Sequence, residues 1–224
     1  MSNVGHGRKY EETKSKILRA AAKLFLKNGY EKSTAKEIAA AAEINYSSIF
    51  FVFKDKEAIL REILWHVLNL QTQTIEKMLD LRDGMRRFVA ESVLLLCLAE
   101  GNECLREMYT VAYSLPHSPE ILYRKLTEQL QGIFEKDLPK LEPKDFYEKE
   151  IAVGGILRSF ICVPCDMYFT QKRKLYAFLD AVFSVYDADR EKRDQAIEFA
   201  LSIDVEKAAQ TVESKLIKYV ADRT

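Results

Sequence analysis

The stretch from Thr34 to Leu60 reads TAKEIAAAAEINYSSIFFVFKDKEAIL, and its punctuation decides the fold. Thr34 stands before a run of good helix formers, where its hydroxyl suits the N-cap position and can satisfy an orphan amide. Glu37, three residues on, completes a capping-box pattern with it. The apolar run Ile38 to Ala42 then makes a helix of about two turns. Glu43-Ile44-Asn45 breaks that helix, and Asn45 suits the cap of a short helix through Phe53. Lys54-Asp55-Lys56 is a polar break in which Asp55 can cap the next helix. Cap, short helix, tight turn and second short helix are the parts of a helix-turn-helix, whose first helix buttresses a second that enters the DNA major groove. The second helix has the required polarity: Tyr46, Ser47 and Ser48 lead, while Ile49, Val52 and Phe53 can pack inward.

Working outward, the pattern stays helical. Upstream, Ile17, Ala21, Leu24 and Phe25 recur at helical spacing, and Gly29 follows as a C-terminal stop. Downstream, a long fourth helix from Lys56 to about Leu79 carries Ile59, Ile63, Val67 and Leu70 on one face. Asp83-Gly84 precedes a fifth helix with Phe88, Val89, Leu95, Leu96 and Ala99. Gly101-Asn102 opens a sixth, expected to end near Pro116. Ser118-Pro119-Glu120 reads as a cap with proline at the first position of a seventh, running to Asp137. The segment from Pro143 to Gln171 is interrupted by Pro164. Helical pattern resumes over Lys174 to Tyr186 and Asp189 to Ser202, and Asp204 caps a last helix to Asp222. No useful period-2 stretch, internal repeat or low-complexity segment occurs. The expected fold is all-α. Residues 1–56 are expected to form a three-helix helix-turn-helix DNA-binding head, joined by the long fourth helix to a helical body, residues 57–224.

Charge supports that division. The 224 residues carry no net charge overall. Residues 1–56, however, hold eleven basic and six acidic side chains, a net +5 that leaves −5 for the rest. A basic head on an acidic body is expected where one part meets phosphates and the other does not. The first ten residues are polar and lack the apolar core of a signal peptide, and no apolar run approaches the roughly 20 residues that span a bilayer. These features lead us to expect a soluble cytoplasmic protein that makes no use of a membrane. Four cysteines do not suggest a disulfide framework.

The residues just quoted resemble those of the TetR (tetracycline repressor) family. The resemblance rests on Thr34 to Ala39, Ile44 to Phe53 and Lys54 to Leu60, with Ala21, Phe25 and Gly29-Tyr30 before them. It covers about the first 60 residues. It implies a transcriptional regulator, by default a repressor, that binds a near-palindromic double-stranded operator as a homodimer and is released when a small molecule binds the body. It further implies phosphate contacts for Thr34 and Lys56, with Lys36 and Asn45 beside them. Tyr46, Ser47, Ser48 and Phe51 fall where family side chains reach bases or backbone. Phe50 falls on the family's usual tyrosine, Ser47 on its usual glycine, and Glu43 on a frequent turn glycine. Without Arg, Asn or Gln at the leading positions of the second helix, bidentate base contacts are missing there. Recognition should therefore lean on phosphates, thymine methyls and DNA shape.

The body is less explicit. Trp65, Tyr109, Tyr113, Phe134, Phe160, Tyr168 and Phe169 could line an apolar effector cavity, or could be plain core. Arg158, Cys162 and Asp166 could supply its polar contacts; alternatively, Arg158 and Asp166 pair with each other. Cys162-Val163-Pro164-Cys165 is a CxxC without the strand-then-helix setting of a redox centre, and only Cys97 and Cys104 could complete a zinc site. No metal and no cofactor beyond the effector is expected. His6, His66 and His117 have no ligand-pair spacing. No phosphate-cradling loop or nucleophile elbow occurs, so an enzyme is not expected. A helical scaffold remains the other alternative, and it predicts no consequence of neutralising Lys36 and Lys56. Gly154-Gly155 would allow close approach of helices from two copies.

Overall fold

The computed structural model describes residues 3–79, 83–115, 124, 126–128, 130–131, 138, 140–188 and 190–221. It is helical throughout, with α1 (Asn3–Asn28), α2 (Ala35–Ala41), α3 (Tyr46–Val52), α4 (Lys56–Met78), α5 (Gly84–Gly101) and α6 (Glu103–Ala112) in the first half. In the second half come α7 (Pro143–Cys162), α8 (Gln171–Val185), α9 (Arg190–Ser202) and α10 (Val205–Ala221). Among the described residues there is no strand. The expected seventh helix, Ser118 to Asp137, falls largely outside the described residues, which include helical positions at 124, 126–128 and 130–131.

The caps are where short-range chemistry puts them. The Asp83, Asn102 and Asp204 carboxyl or amide oxygens accept the amides of Arg86, Leu105 and Lys207, at 3.2, 3.0 and 3.2 Å. Each satisfies an orphan amide of a helix first turn. The sixth helix stops at Ala112, four residues short of Pro116, because its last turn tightens. The Ser114 amide donates to Val111 O, and the Ser114 hydroxyl folds back onto Thr110 O.

α5 organises the body. Residues Val93 to Ala99 are buried on every side of it, as expected for a helix packed against neighbours all round. α4, α6, α7, α8, α9 and α10 surround it. The head is a smaller cluster around Ile17, Phe25, Ile38, Ile49 and Phe53, all buried. α1 ties the two together, since it packs on α2, α3, α4, α6 and α10. α10 is therefore engaged within the chain, and Lys215 on it donates to Thr74 of α4 at 2.8 Å.

Candidate nucleic-acid interface

Thr34 and Glu37 fix the start of α2. The Thr34 hydroxyl accepts the Glu37 amide at 3.2 Å, and the Glu37 carboxylate accepts from both the amide and the hydroxyl of Thr34, at 2.7 and 2.8 Å. These bonds hold the Glu37 carboxyl below its ordinary pKa, the Thr34 amide contributing most. The hydroxyl that the family resemblance aims at phosphate is thus already occupied as a cap. Asn45 has the extended backbone of an N-cap, but its side chain makes no cap hydrogen bond, so the cap expected from it is one of backbone only.

The turn between α2 and α3 forces Glu43 into the left-handed region, at φ 55°. A glycine would sit there without steric cost, whereas an L side chain loses roughly 1–2 kcal/mol. Beyond it, α3 divides into two faces. Ile49 and Phe53 are 1% and 5% exposed, while Tyr46, Phe50 and Phe51 are 46%, 49% and 80% exposed. Ser47 is also exposed, and Ser48 and Val52 are half-buried. Tyr46 packs edge-on to Phe50 at 5.1 Å, and Phe51 packs edge-on to Tyr10 of α1 at 6.3 Å. The three rings form an aromatic ridge held outward over the buried base of Ile49 and Phe53, and are not core.

Lys36 is exposed on α2. Lys56 is not free in the same way: its ammonium donates to Tyr30 O at 3.0 Å and Ser33 O at 3.1 Å and lies 4.0 Å from the Tyr30 ring centre. It ties the α1–α2 loop to α4, and one of its three N–H donors is left for a phosphate. The sequence expectation of a simple phosphate contact missed this second role.

In the body, a cavity of about 90 Å³ lies between α4, α5, α7 and α8. Its apolar wall includes Leu68, Phe88, Leu95, Leu157 and Phe178, and its polar groups are Gln71, Thr72, Glu91, Ser92, Tyr113 and Glu150. Of the expected lining residues that the structure describes, only Tyr113 is there. Tyr109 stands one layer behind, buried, its hydroxyl accepting from Gln71 at 2.5 Å. Phe160 packs on Phe169 and Phe178, and Trp65 is half-buried on α4 but away from the cavity wall. Phe134 lies outside the described residues.

Arg158, Cys162 and Asp166 are exposed and do not reach the cavity. Arg158 donates to the Ser114 hydroxyl at 2.7 Å. Asp166 instead closes its own turn, accepting the Tyr168 and Phe169 amides, so the expected Arg158–Asp166 pair does not form. Tyr168 is 78% exposed on the same loop. Cys162 contacts the Thr110 hydroxyl at 3.7 Å, and burial pushes the Cys165 thiol up, the opposite of an activated thiolate. Among the described residues no group of three His, Cys, Asp or Glu side chains could hold a metal, and no helix is long and apolar enough to cross a membrane.

The polar groups that do face the cavity were legible in principle. Glu150 occupies a slot in the stripe Phe146, Val153, Leu157 and Ile161, and Gln71 one in the stripe Leu64, Val67 and Ile75. A polar residue breaking a buried stripe is the signal that finds them.

Comparison with known proteins bears on both parts. Residues 17–63 match the family described as bacterial regulatory proteins, tetR family. The chain is 26% identical over 189 residues to the HTH-type transcriptional repressor NicS of Pseudomonas putida, covering 75% of this chain and 81% of that protein. It is 43% identical over 51 residues to the HTH-type transcriptional regulator QacR of Staphylococcus aureus, 23% of this chain and 27% of that one. In fold it resembles the structure of RolR in complex with resorcinol, at TM-score 0.66 and 17% identity over 88% of this chain and 97% of that one. With the capped helix-turn-helix and the helical body in place, residues 17–63 carry the DNA-binding domain of the tetR family, and the relatives and the fold together support a TetR family transcriptional regulator.

Proposed function

We propose that this chain represses transcription by binding a near-palindromic operator as a homodimer, in the cytoplasm where such operators lie, and is released when a small molecule occupies the body cavity. The exposed ridge Tyr46, Phe50 and Phe51 over buried Ile49 and Phe53 carries the DNA half of this reading. α3 enters the major groove, with Ser47 and Ser48 at its leading turn. Lys36 and the remaining Lys56 donor meet phosphates, alongside Thr34 and Asn45 at the starts of α2 and α3. Residues 1–56 supply the DNA contacts and residues 57–224 the effector cavity and dimer contacts.

Dimerisation falls to α7 and α8. Ile151 is 45% exposed and Tyr176 52% exposed, and nothing lies within 4 Å of a Cβ built on Gly155, so a second helix can approach closely. A two-fold interface there is self-complementary and holds two heads about one DNA turn apart. An effector that binds better to the conformation with the wrong spacing lowers operator affinity by its differential affinity for the two states. No cofactor or catalytic step is needed. Footprinting on DNA flanking the chain's own gene, with the stoichiometry measured by sedimentation, tests the proposal. Two copies over two protected half-sites about one turn apart support it; one copy on one half-site contradicts it.

A further inference from the structure

The body contains a second, larger cavity of about 180 Å³ beside Glu100 and Lys174. Its charges answer each other: Lys174, 3% exposed, donates to the half-buried Glu100 at 2.8 Å, and the Cys165 amide donates to the other carboxylate oxygen. The cavity between α4, α5, α7 and α8 is different. Glu150 is 3% exposed on its wall, and its Oε2 has no hydrogen-bond partner among the described residues. A buried carboxyl oxygen left unmatched costs free energy that a ligand donor can recover.

The surroundings choose the donor. Glu91 faces the same cavity, and no Lys, Arg or His is among the described residues that line it. Glu91 already accepts from Thr72 at 3.0 Å and from Arg87 at 3.2 Å, so its charge is partly answered from behind. Glu150 has no such cation, since Lys149, its neighbour on α7, points away and donates to Val185 O at 2.6 Å. The remaining polar lining is the amide and hydroxyls of Gln71, Thr72, Ser92 and Tyr113, and the rest of the wall is aliphatic and aromatic. We infer that this cavity takes a small, mainly apolar amine, its ammonium hydrogen-bonded to Glu150 and its hydrocarbon part against Phe88, Leu157 and Phe178. The free volume, about 90 Å³, is smaller than the roughly 150 Å³ that accepts benzene elsewhere, so the hydrocarbon is limited to one ring at most, with side chains giving way around it. This inference rests on the reading of the cavity as the effector site.

Binding moves a proton. Burial holds Glu150 protonated at neutral pH, its pKa raised to about 8. An ammonium entering from solution meets the carboxylate form, so the Glu150 proton leaves to solvent and one ion pair forms. The other ionisable groups around it are Glu91 and, behind it, Arg87 from α5, Tyr113 after α6, Tyr186 after α8, and Lys149 on α7 itself. Burial holds the Tyr186 proton, and the Glu150 carboxylate, once ionised, adds to it.

The test is calorimetric titration of the full-length protein with three single-ring amines, benzylamine, phenethylamine and cyclohexylamine. Benzyl alcohol and benzoate serve as neutral and anionic controls, and each titration is run in two buffers of different ionisation enthalpy. The expected result is that at least one amine binds at least about tenfold more tightly than benzyl alcohol, with heats that reveal proton release near pH 7. Glu150→Gln, which is isosteric, loses that advantage for the amine and keeps benzyl alcohol binding. If benzyl alcohol or benzoate binds as tightly as the amines and Glu150→Gln changes nothing, the amine assignment is overturned while the cavity remains an effector site. If none of the five binds, the amine assignment and the effector reading of the cavity fall together.

Discussion

Glu107 on α6 accepts the backbone amide of Glu31 through Oε1 at 2.8 Å, and its Oε2 packs so closely on Gly29 that an added Cβ there would collide with it. This carboxylate joins the body to the loop that sets α2. Two residues on along the same helix, Tyr109 accepts from Gln71 on the cavity wall. One rigid helix therefore touches the cavity lining at one point and the head at another. Glu107→Ala is expected to cost about 1 kcal/mol of stability and to shrink the change in operator affinity produced by an effector, since the head is released from the helix that transmits it. Operator titration with and without bound ligand, for wild type and variant, measures that coupling directly; an undiminished effect places transmission elsewhere.

Gly29 is expected to resist substitution for two separate reasons. Its φ of 88° is left-handed, and the space for a side chain is taken by Glu107. Gly29→Ala should lose at least about 1 kcal/mol by chemical denaturation. Pairing it with Glu107→Ala should recover part of the loss, because the double variant removes the collision and leaves only the backbone cost. Equal losses in both backgrounds would show that the collision contributes nothing.

The Thr34–Glu37 box gives a pH signature as well as a mutational one. Thr34→Ala should cost about 1 kcal/mol, and Thr34→Ser much less. The Glu37 carboxyl is held below its ordinary pKa. Its contribution is therefore present above the unfolded value near 4.5 and lost as pH falls through the lower folded value. Acid unfolding of Glu37→Gln should lack this component, whereas Thr34→Ala, which keeps the Thr34 amide, should lose only the hydroxyl's share; denaturation midpoints across an acidic pH series will show both.

Glu150 runs the other way. Its folded pKa, about 8, lies above the unfolded value of 4.5, so the folded state holds a proton that the unfolded state has released. Stability should fall as pH rises from about 4.5 to about 8 and level off above that. Glu150→Gln should flatten the slope, matching wild type at the acidic end and exceeding it at pH 8. A wild-type slope that survives the substitution would assign it to another group.

How much of the molecule is legible in its sequence depends on the range of the interactions. The head is written in local chemistry: a threonine cap with its glutamate, a glycine stop after α1, an aspartate before α4. Each acts within four residues, so spacing alone reveals it. The left-handed Glu43 was foreseeable because it stands where the family often has glycine. Lys56 was half-legible, because its bonds to Tyr30 and Ser33 span more than twenty residues and leave no local trace. The cavity was misplaced for a related reason. Aromatic residues such as Trp65 and Phe160 stand out by size, yet packing put them into the core or on its margin. The residues facing the void were polar interruptions of apolar stripes, Gln71 and Glu150, whose significance depends on what three other helices bring opposite them. Arg158 and Asp166 failed as a pair because each found a nearer partner.

The DNA-reading role proposed for the outward face of α3, backed by Lys36 on α2, can be tested on the protein itself. The most direct test is a salt-dependent titration of operator fragments from around the chain's own gene with wild type, Phe51→Ala and Lys36→Ala. Phe51 is 80% exposed, so Phe51→Ala should leave stability within about 0.5 kcal/mol. It should nevertheless weaken binding to the selected fragment more than to random DNA. Lys36→Ala should weaken both alike and reduce the slope of log affinity against log salt by about 1. Lys56→Ala is a poorer probe, because losing its two carbonyl bonds disturbs the head itself. Sequence-selective, salt-steep binding with those two signatures is the predicted result. Binding that is unselective in wild type and unchanged in both variants, with folding intact, would rule out α3 and Lys36 as the DNA-reading surface.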